Sequence, residues 1–131
     1  MSILRFEGVS KQYDAEGGPL DIYKDLNFSV DPGESLSILG QSGCGKSTFL
    51  HLAAGLETPS EGEIYLSGTK LSGVSDHERT LLRRRTIGFV FQFFHLLPHL
   101  SVKENIALPG FLDNKTLEDQ ETIILDLLQR V

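Results

Sequence analysis

A chain of 131 residues with a formal net charge of −6, 40% hydrophobic and 23% charged, has the composition of one small globular domain able to form a core. It does not read as a disordered tail, and its acidic balance leaves no global electrostatic footprint for nucleic acid. The single cysteine, Cys44, excludes an intrachain disulfide and fits a reducing compartment. The start, "MSILRFEGVSKQY", lacks the apolar core of a secretory signal. No run approaches the roughly 20 apolar residues of a membrane span; the richest, Ile87 to Leu100, is interrupted by Gln92, His95, Pro98 and His99. The chain by itself is expected to be soluble, with any membrane attachment made through a partner.

Leu4, Phe6 and Val9 alternate into a strand ending near Tyr13. "DAEGGPL" reads as a loop, "YKDLNFSV" as a second strand with Leu26, Phe28 and Val30 on one face, and "DPGE" as a turn. "SLSILG" predicts a short apolar strand running into a glycine loop. Ser47 to Leu56 predicts a helix that buries Phe49, Leu50, Leu52 and Ala53. A turn at "TPSEGE", the strand "IYLSG" and a helix over Glu78–Arg85 follow. "TIGFVFQ", β-branched and aromatic, predicts a strand ending at Gln92. "SVKE" has capping-box spacing and opens a helix through Leu108, stopped by Pro109 and Gly110. A last helix starts at Thr116–Asp119, with Leu117, Ile123, Ile124, Leu127, Leu128 and Val131 at helical spacing.

"GQSGCGKST", Gly40 to Thr48, fits the spacing G-x-x-x-x-G-K-[ST] and sits between a predicted strand and a predicted helix. A polyphosphate needs many donors at short range, and backbone N–H groups supply them where the chain curls around the anion. Glycine permits that curl and that approach at low cost. Gly40, Gln41, Ser42, Gly43, Cys44 and Gly45 form the curl. The helix that follows adds its unpaired N–H groups and the positive end of its dipole. Lys46 is placed to reach the β- and γ-phosphates, Ser47 to ligate Mg²⁺ and Thr48 to donate to a phosphate. The glycine order is not that of a dinucleotide fingerprint. Cys44 reads as a small residue filling its slot, and nucleotide bound in the loop should shield it from alkylation.

The wider pattern resembles the ATP-binding cassette (ABC) family. "GQSGCGKSTFLHLAAGLETPSEGEIYLSG" is similar to that family's P-loop, helix and following hairpin, in order. "VSKQY" resembles its opening segment, which puts Tyr13 at the position of an aromatic that stacks on adenine. "RRRTIGFVFQFFHLLPHLSVKENIALP" resembles the Q-loop region of cassettes in the lipoprotein-release and macrolide-export group. The resemblance implies that Gln92 ligates Mg²⁺ and senses the γ-phosphate. It also implies that Phe93, Phe94, Leu96 and Leu97 lie near the groove that receives a permease; folding of this loop onto its own core is the other reading. The arginine cluster Arg79, Arg83, Arg84 and Arg85 reads as a solvated helix face. His95 and His99 are separated by Pro98 and have no third ligand nearby, which argues against a metal site.

The resemblance implies an α/β fold: a partial P-loop NTPase core with an N-terminal antiparallel β-subdomain and the start of a helical subdomain. Residues 1–92 would form the β-subdomain and core to the Q-loop, and residues 93–131 the exit from it and the helical start. It covers about the first half of the family's domain. No LSGG-like signature and no Asp-Glu pair after an apolar strand occur in the 131 residues. Asp126 follows "TIIL", yet its surroundings have helical spacing, and it reads as a surface residue of an amphipathic helix. Lys46, Ser47 and Gln92 can bind and polarise, but no general base accompanies them. The expectation is weak Mg-ATP binding at best with negligible hydrolysis by the chain alone, and none of the family's head-to-tail dimer without the signature. The implied whole is an ATPase subunit, at the cytoplasmic face of a membrane, that powers a permease in export or lipoprotein release, with no nucleic acid partner. The alternatives are a cassette protein without a permease that works on nucleic acid or ribosomes, and a non-catalytic fragment that regulates a full-length partner.

Overall fold

The alternation of Leu4, Phe6 and Val9 builds the second strand of a four-stranded antiparallel sheet in the computed structural model, which describes residues 2–131. The strands are β1 (Leu4–Ala15), β2 (Gly18–Val30), β3 (Glu61–Leu66) and β4 (Thr69–Lys70), in the order β2-β1-β3-β4. The register sets Phe6 opposite Phe28 on one side and Ile64 on the other, so one face of the sheet is continuously apolar. The expected loop "DAEGGPL" contracts to a turn at Glu16–Gly17, because backbone pairing continues outward to Ala15 and Gly18 beyond the last buried side chain.

Helix α1 (Lys46–Ala53) lies on the apolar face. Phe49 stacks on Phe6 with ring centroids 5.1 Å apart and meets Phe28 and Tyr23 edge-on at 5.4 and 6.4 Å. Phe49 and Leu52, one turn apart, join Phe6, Val9, Ile64, Leu66 and Leu71 in the core. Leu50 was expected to be buried and is 47% exposed. A single sheet covers one stripe of α1, and the residue after Phe49 turns about 100° away from it. Helix α2 (Asp76–Thr86) follows a short 3₁₀ turn at Leu71–Gly73, packs Leu82 against the same core and sends the Arg83 guanidinium to the Gly55 carbonyl at 2.6 Å.

Two expected strands are absent: neither "SLSILG" nor "TIGFVFQ" pairs with a strand among the described residues. Ile38 and Ile87 touch the core, while Leu36, Leu39 and Val90 are 54%, 90% and 95% exposed. β-propensity describes a side chain's fit to a half-buried pleated surface. A strand exists only where a neighbour completes its ladder of hydrogen bonds.

The chain divides into two compact units, Met1–Phe89 and Val90–Val131. The second contains α3 (Val102–Phe111) and α4 (Leu117–Gln129). Ala107 and Ile124 are buried between them with Gln120, and Lys103 pairs with Glu121 at 3.2 Å. Pro109 and Gly110 were expected to stop α3 and lie inside it. Proline removes one N–H from the helix ladder. Gly110 is where the Gln120 side chain comes so close that a Cβ would collide with it, so helix packing sets the residue type there. Asn105 pins the preceding loop: its amide accepts from Leu97 N at 2.9 Å and donates to the Leu97, Leu100 and Ser101 carbonyls. Asp126 lies exposed on α4 and pairs with Arg130 at 2.8 Å, as a helix-surface residue should. Of the residues expected on the buried face of α4, Ile124 is buried and Leu117 partly so, whereas Ile123, Leu127, Leu128 and Val131 are exposed. The contact with α3 covers the narrow line Leu117, Gln120 and Ile124. No helix among the described residues is long and apolar enough to cross a membrane.

Candidate functional site

Gly40 to Thr48 enter α1 through a left-handed corner. Gly43 and Gly45 have φ of 80° and 96°, and Gly45 is the residue that starts the helix. A Cβ at Gly45 would also lie 2.5 Å from Ile22 Cγ2, so both conformation and space require glycine. The Tyr23 hydroxyl donates to the Gly45 carbonyl at 2.7 Å and ties the loop to β2. Tyr23 also packs edge-on to Phe49, so one residue fixes the loop and the helix behind it.

Lys46 closes the loop on itself. Its ammonium donates to the Gly40 carbonyl at 2.9 Å and the Gln41 carbonyl at 2.6 Å, and lies 3.7 Å from Cys44 Sγ. Ser42, Gly43 and Cys44 are exposed along the curl, and Ser47 is exposed in the first turn of α1. No side chain caps α1, and its first turn holds no acidic residue. The other α-helices differ. Ser75 with Glu78, Ser101 with Glu104 and Thr116 with Asp119 form full capping boxes. The first N–H groups of α1 are therefore left to a partner other than a protein side chain. N–H groups without a side-chain cap at a dipole's positive end, beside an ammonium and a serine hydroxyl, suit a polyphosphate with a bound divalent cation.

Tyr13 sits near the end of β1, half-buried. Its hydroxyl donates a hydrogen bond to the Glu57 carboxylate, and the Thr48 side chain lies close enough to favour the phenolate. Burial first, and then the Glu57 carboxylate, raise the Tyr13 pKa above the ordinary 10.0. Glu57 also meets His51 Nδ1 at 3.1 Å and Lys11 Nζ at 3.2 Å. Desolvation pushes its carboxyl up, but the bonds from Tyr13, His51 and Lys11 together bring it below the ordinary 4.5. Tyr13 and Thr48 thus stand together in the first unit. Gln92 stands in the second unit, exposed, in an irregular segment. Phe93, Phe94 and Leu96 follow it at 71%, 89% and 66% exposure.

Lys11, Tyr23, His51 and Glu57 were not among the expected site residues. Lys11 and Tyr13 share a strand face by alternation, a usable sequence signal. Nothing in the sequence links Tyr13 to Glu57, 44 residues away.

The sequence model described as "ABC transporter" matches residues 23–131. The lipoprotein-releasing system ATP-binding protein LolD of Xanthomonas campestris pv. campestris is 40% identical over 130 residues, which are 99% of this chain and 54% of that protein. LolD of Nitratidesulfovibrio vulgaris is 40% identical over 129 residues, 98% of this chain and 55% of that protein. Among solved structures, the dimeric post-hydrolysis state of the ATP-binding cassette MJ0796 bound to ADP and Pi aligns with a TM-score of 0.88 at 36% identity, over 96% of this chain and 56% of that one. This chain spans about half the length of the relatives it matches. With the family match running from residue 23 to residue 131 and the relatives aligning along nearly all of the sequence, the chain belongs to the ABC transporter family.

Proposed function

We propose that this chain binds Mg-ATP through Gly40–Thr48, as the nucleotide-holding part of an ABC subunit that powers a membrane permease in export or lipoprotein release. The observation that carries the reading is the start of α1: a left-handed glycine corner, N–H groups that no side chain caps, and Lys46 held by atoms of the loop itself. Phosphate oxygens would replace Gly40 and Gln41 as partners of the ammonium, exchanging neutral acceptors for charged ones. Gly43, Cys44 and Gly45 would present backbone donors, Thr48 a hydroxyl, and Tyr13 the platform for the base. Ser47 and Gln92 would hold Mg²⁺, whose charge offsets that of the phosphates. The solved neighbour bound to ADP and Pi supports a nucleotide as the ligand.

The residues after Gln92 are proposed as the permease contact, with Phe93, Phe94 and Leu96 as its exposed apolar part. The domain boundary is placed at Gln92, and the compact units meeting at Phe89 and Val90 support a division in this stretch. The LolD relatives support lipoprotein release; a position at the cytoplasmic face of a membrane goes with that reading. Hydrolysis by these 131 residues alone is expected to be negligible, since they contain no Asp-Glu pair after an apolar strand to supply a general base. Calorimetric titration with Mg-ATP, together with phosphate release, tests both parts. Saturable binding weakened about thirtyfold in Lys46→Ala, with no turnover, is the expected result; steady turnover that needs Lys46 would refute the second part.

A further inference from the structure

The proposed nucleotide site contains a carboxylate with no part in phosphate binding. Glu57 follows α1, and its two oxygens are divided between partners. One accepts from the Tyr13 hydroxyl and pairs with Lys11, and the other meets His51 Nδ1 at 3.1 Å. Lys11 is itself fixed: its Nζ donates to the Thr58 carbonyl at 3.0 Å and lies 4.7 Å from the centre of the Tyr13 ring. The side chains of Lys11 and Glu57 are only 12% and 28% exposed, so these contacts are sheltered from water.

We propose that Glu57 is a positioning residue for nucleotide-base binding: it clamps the Tyr13 ring beside the phosphate loop and so sets the preference for a nucleoside triphosphate over a bare polyphosphate. The inference rests on the nucleotide reading given above. A tyrosine ring turns about two side-chain bonds, and stacking on a base requires both to be fixed. The hydroxyl bond to Glu57 fixes the far end of the ring, and Lys11 lies over one face, so a base would stack on the other. Donation of the phenol proton toward a carboxylate also enriches the ring's π-system. The Thr48 side chain, two residues after Lys46, lies near the same hydroxyl, so the clamp adjoins the first turn of α1.

The test is a pair of titrations, Mg-ATP and Mg-tripolyphosphate, on the 131-residue chain and on Tyr13→Phe, Glu57→Ala and the double variant. Tyr13→Phe keeps the ring and removes one oxygen, so it reads the clamp with little risk to folding. Each single variant is expected to raise the Kd for Mg-ATP about fivefold and to leave that for Mg-tripolyphosphate within about twofold. The double variant should lose no more than either single one, because both remove the same bond. Unchanged ATP affinity in Tyr13→Phe overturns the proposal. So does an equal loss for both ligands in Glu57→Ala, which would make Glu57 a support of the fold. A wild-type chain that binds both ligands equally also overturns it while leaving the phosphate reading intact, whereas a chain that binds neither removes both.

Discussion

Helix α1 and the three later α-helices begin in opposite ways. Each of α2, α3 and α4 starts with a hydroxyl and a carboxylate that close a capping box. Helix α1 starts at a left-handed glycine, without a side-chain cap and without an acid in its first turn. The capped helices stabilise their own ends. Helix α1 is held by burial instead: Phe49 and Leu52 anchor it to the sheet, and no side chain caps its first N–H groups. On the proposed reading, the contrast separates a helix start that serves the fold from one that serves a ligand.

The largest effect should come from the anchor. Phe49→Ala is expected to cost about 3–5 kcal/mol, a large share of the stability of a small domain, read as a fall in the denaturation midpoint. Lys46→Ala should reverse the pattern. Its melting curve should stay within about 0.5 kcal/mol of wild type, while Mg-ATP binding weakens by about 2 kcal/mol, or thirtyfold. If Lys46→Ala unfolds the chain, the ammonium serves the loop's structure and the contrast fails. Next come the caps. Ser101→Ala and Thr116→Ala should each cost about 1 kcal/mol without altering Mg-ATP affinity, as melts and titrations would show.

The smallest effect is acid sensitivity. Hydrogen bonds from Ser75, Ser101 and Thr116 hold Glu78, Glu104 and Asp119 below their ordinary values of 4.5, 4.5 and 3.8. A carboxyl whose pKa is lower in the folded state stabilises the fold fully above its ordinary value. That stabilisation fades as pH falls through the folded value. The amides that open α2 and α3 should therefore lose hydrogen-exchange protection on acidification below pH 4.5, and those that open α4 below pH 3.8, whereas those opening α1, with no such carboxylate, should show no matching step.

The parts written in local signals were legible in the sequence. "SVKE" and "TLED" located two helix starts because a capping box is a four-residue device. Gly40 to Thr48 were legible because their spacing encodes a backbone shape. The expected strands "SLSILG" and "TIGFVFQ" failed because composition records a liking for sheet and cannot record whether a neighbour is present to pair with. Leu50 failed for a related reason: helical spacing marks an apolar face, but the width of what covers it decides which residues are buried. Glu57 had no signal at all. Its role arises where β1 and the turn after α1 meet, and that meeting is a property of the fold.

The most direct measurement follows backbone amide NMR shifts during titration of the chain with Mg-ATP. Saturable shifts at Gly43 to Thr48 that need about thirtyfold more Mg-ATP in Lys46→Ala, with the opening amides of α2, α3 and α4 unmoved, are expected. Binding that leaves Gly43 to Thr48 unperturbed, or no binding at millimolar Mg-ATP, would contradict the reading of α1 as a helix start reserved for phosphate.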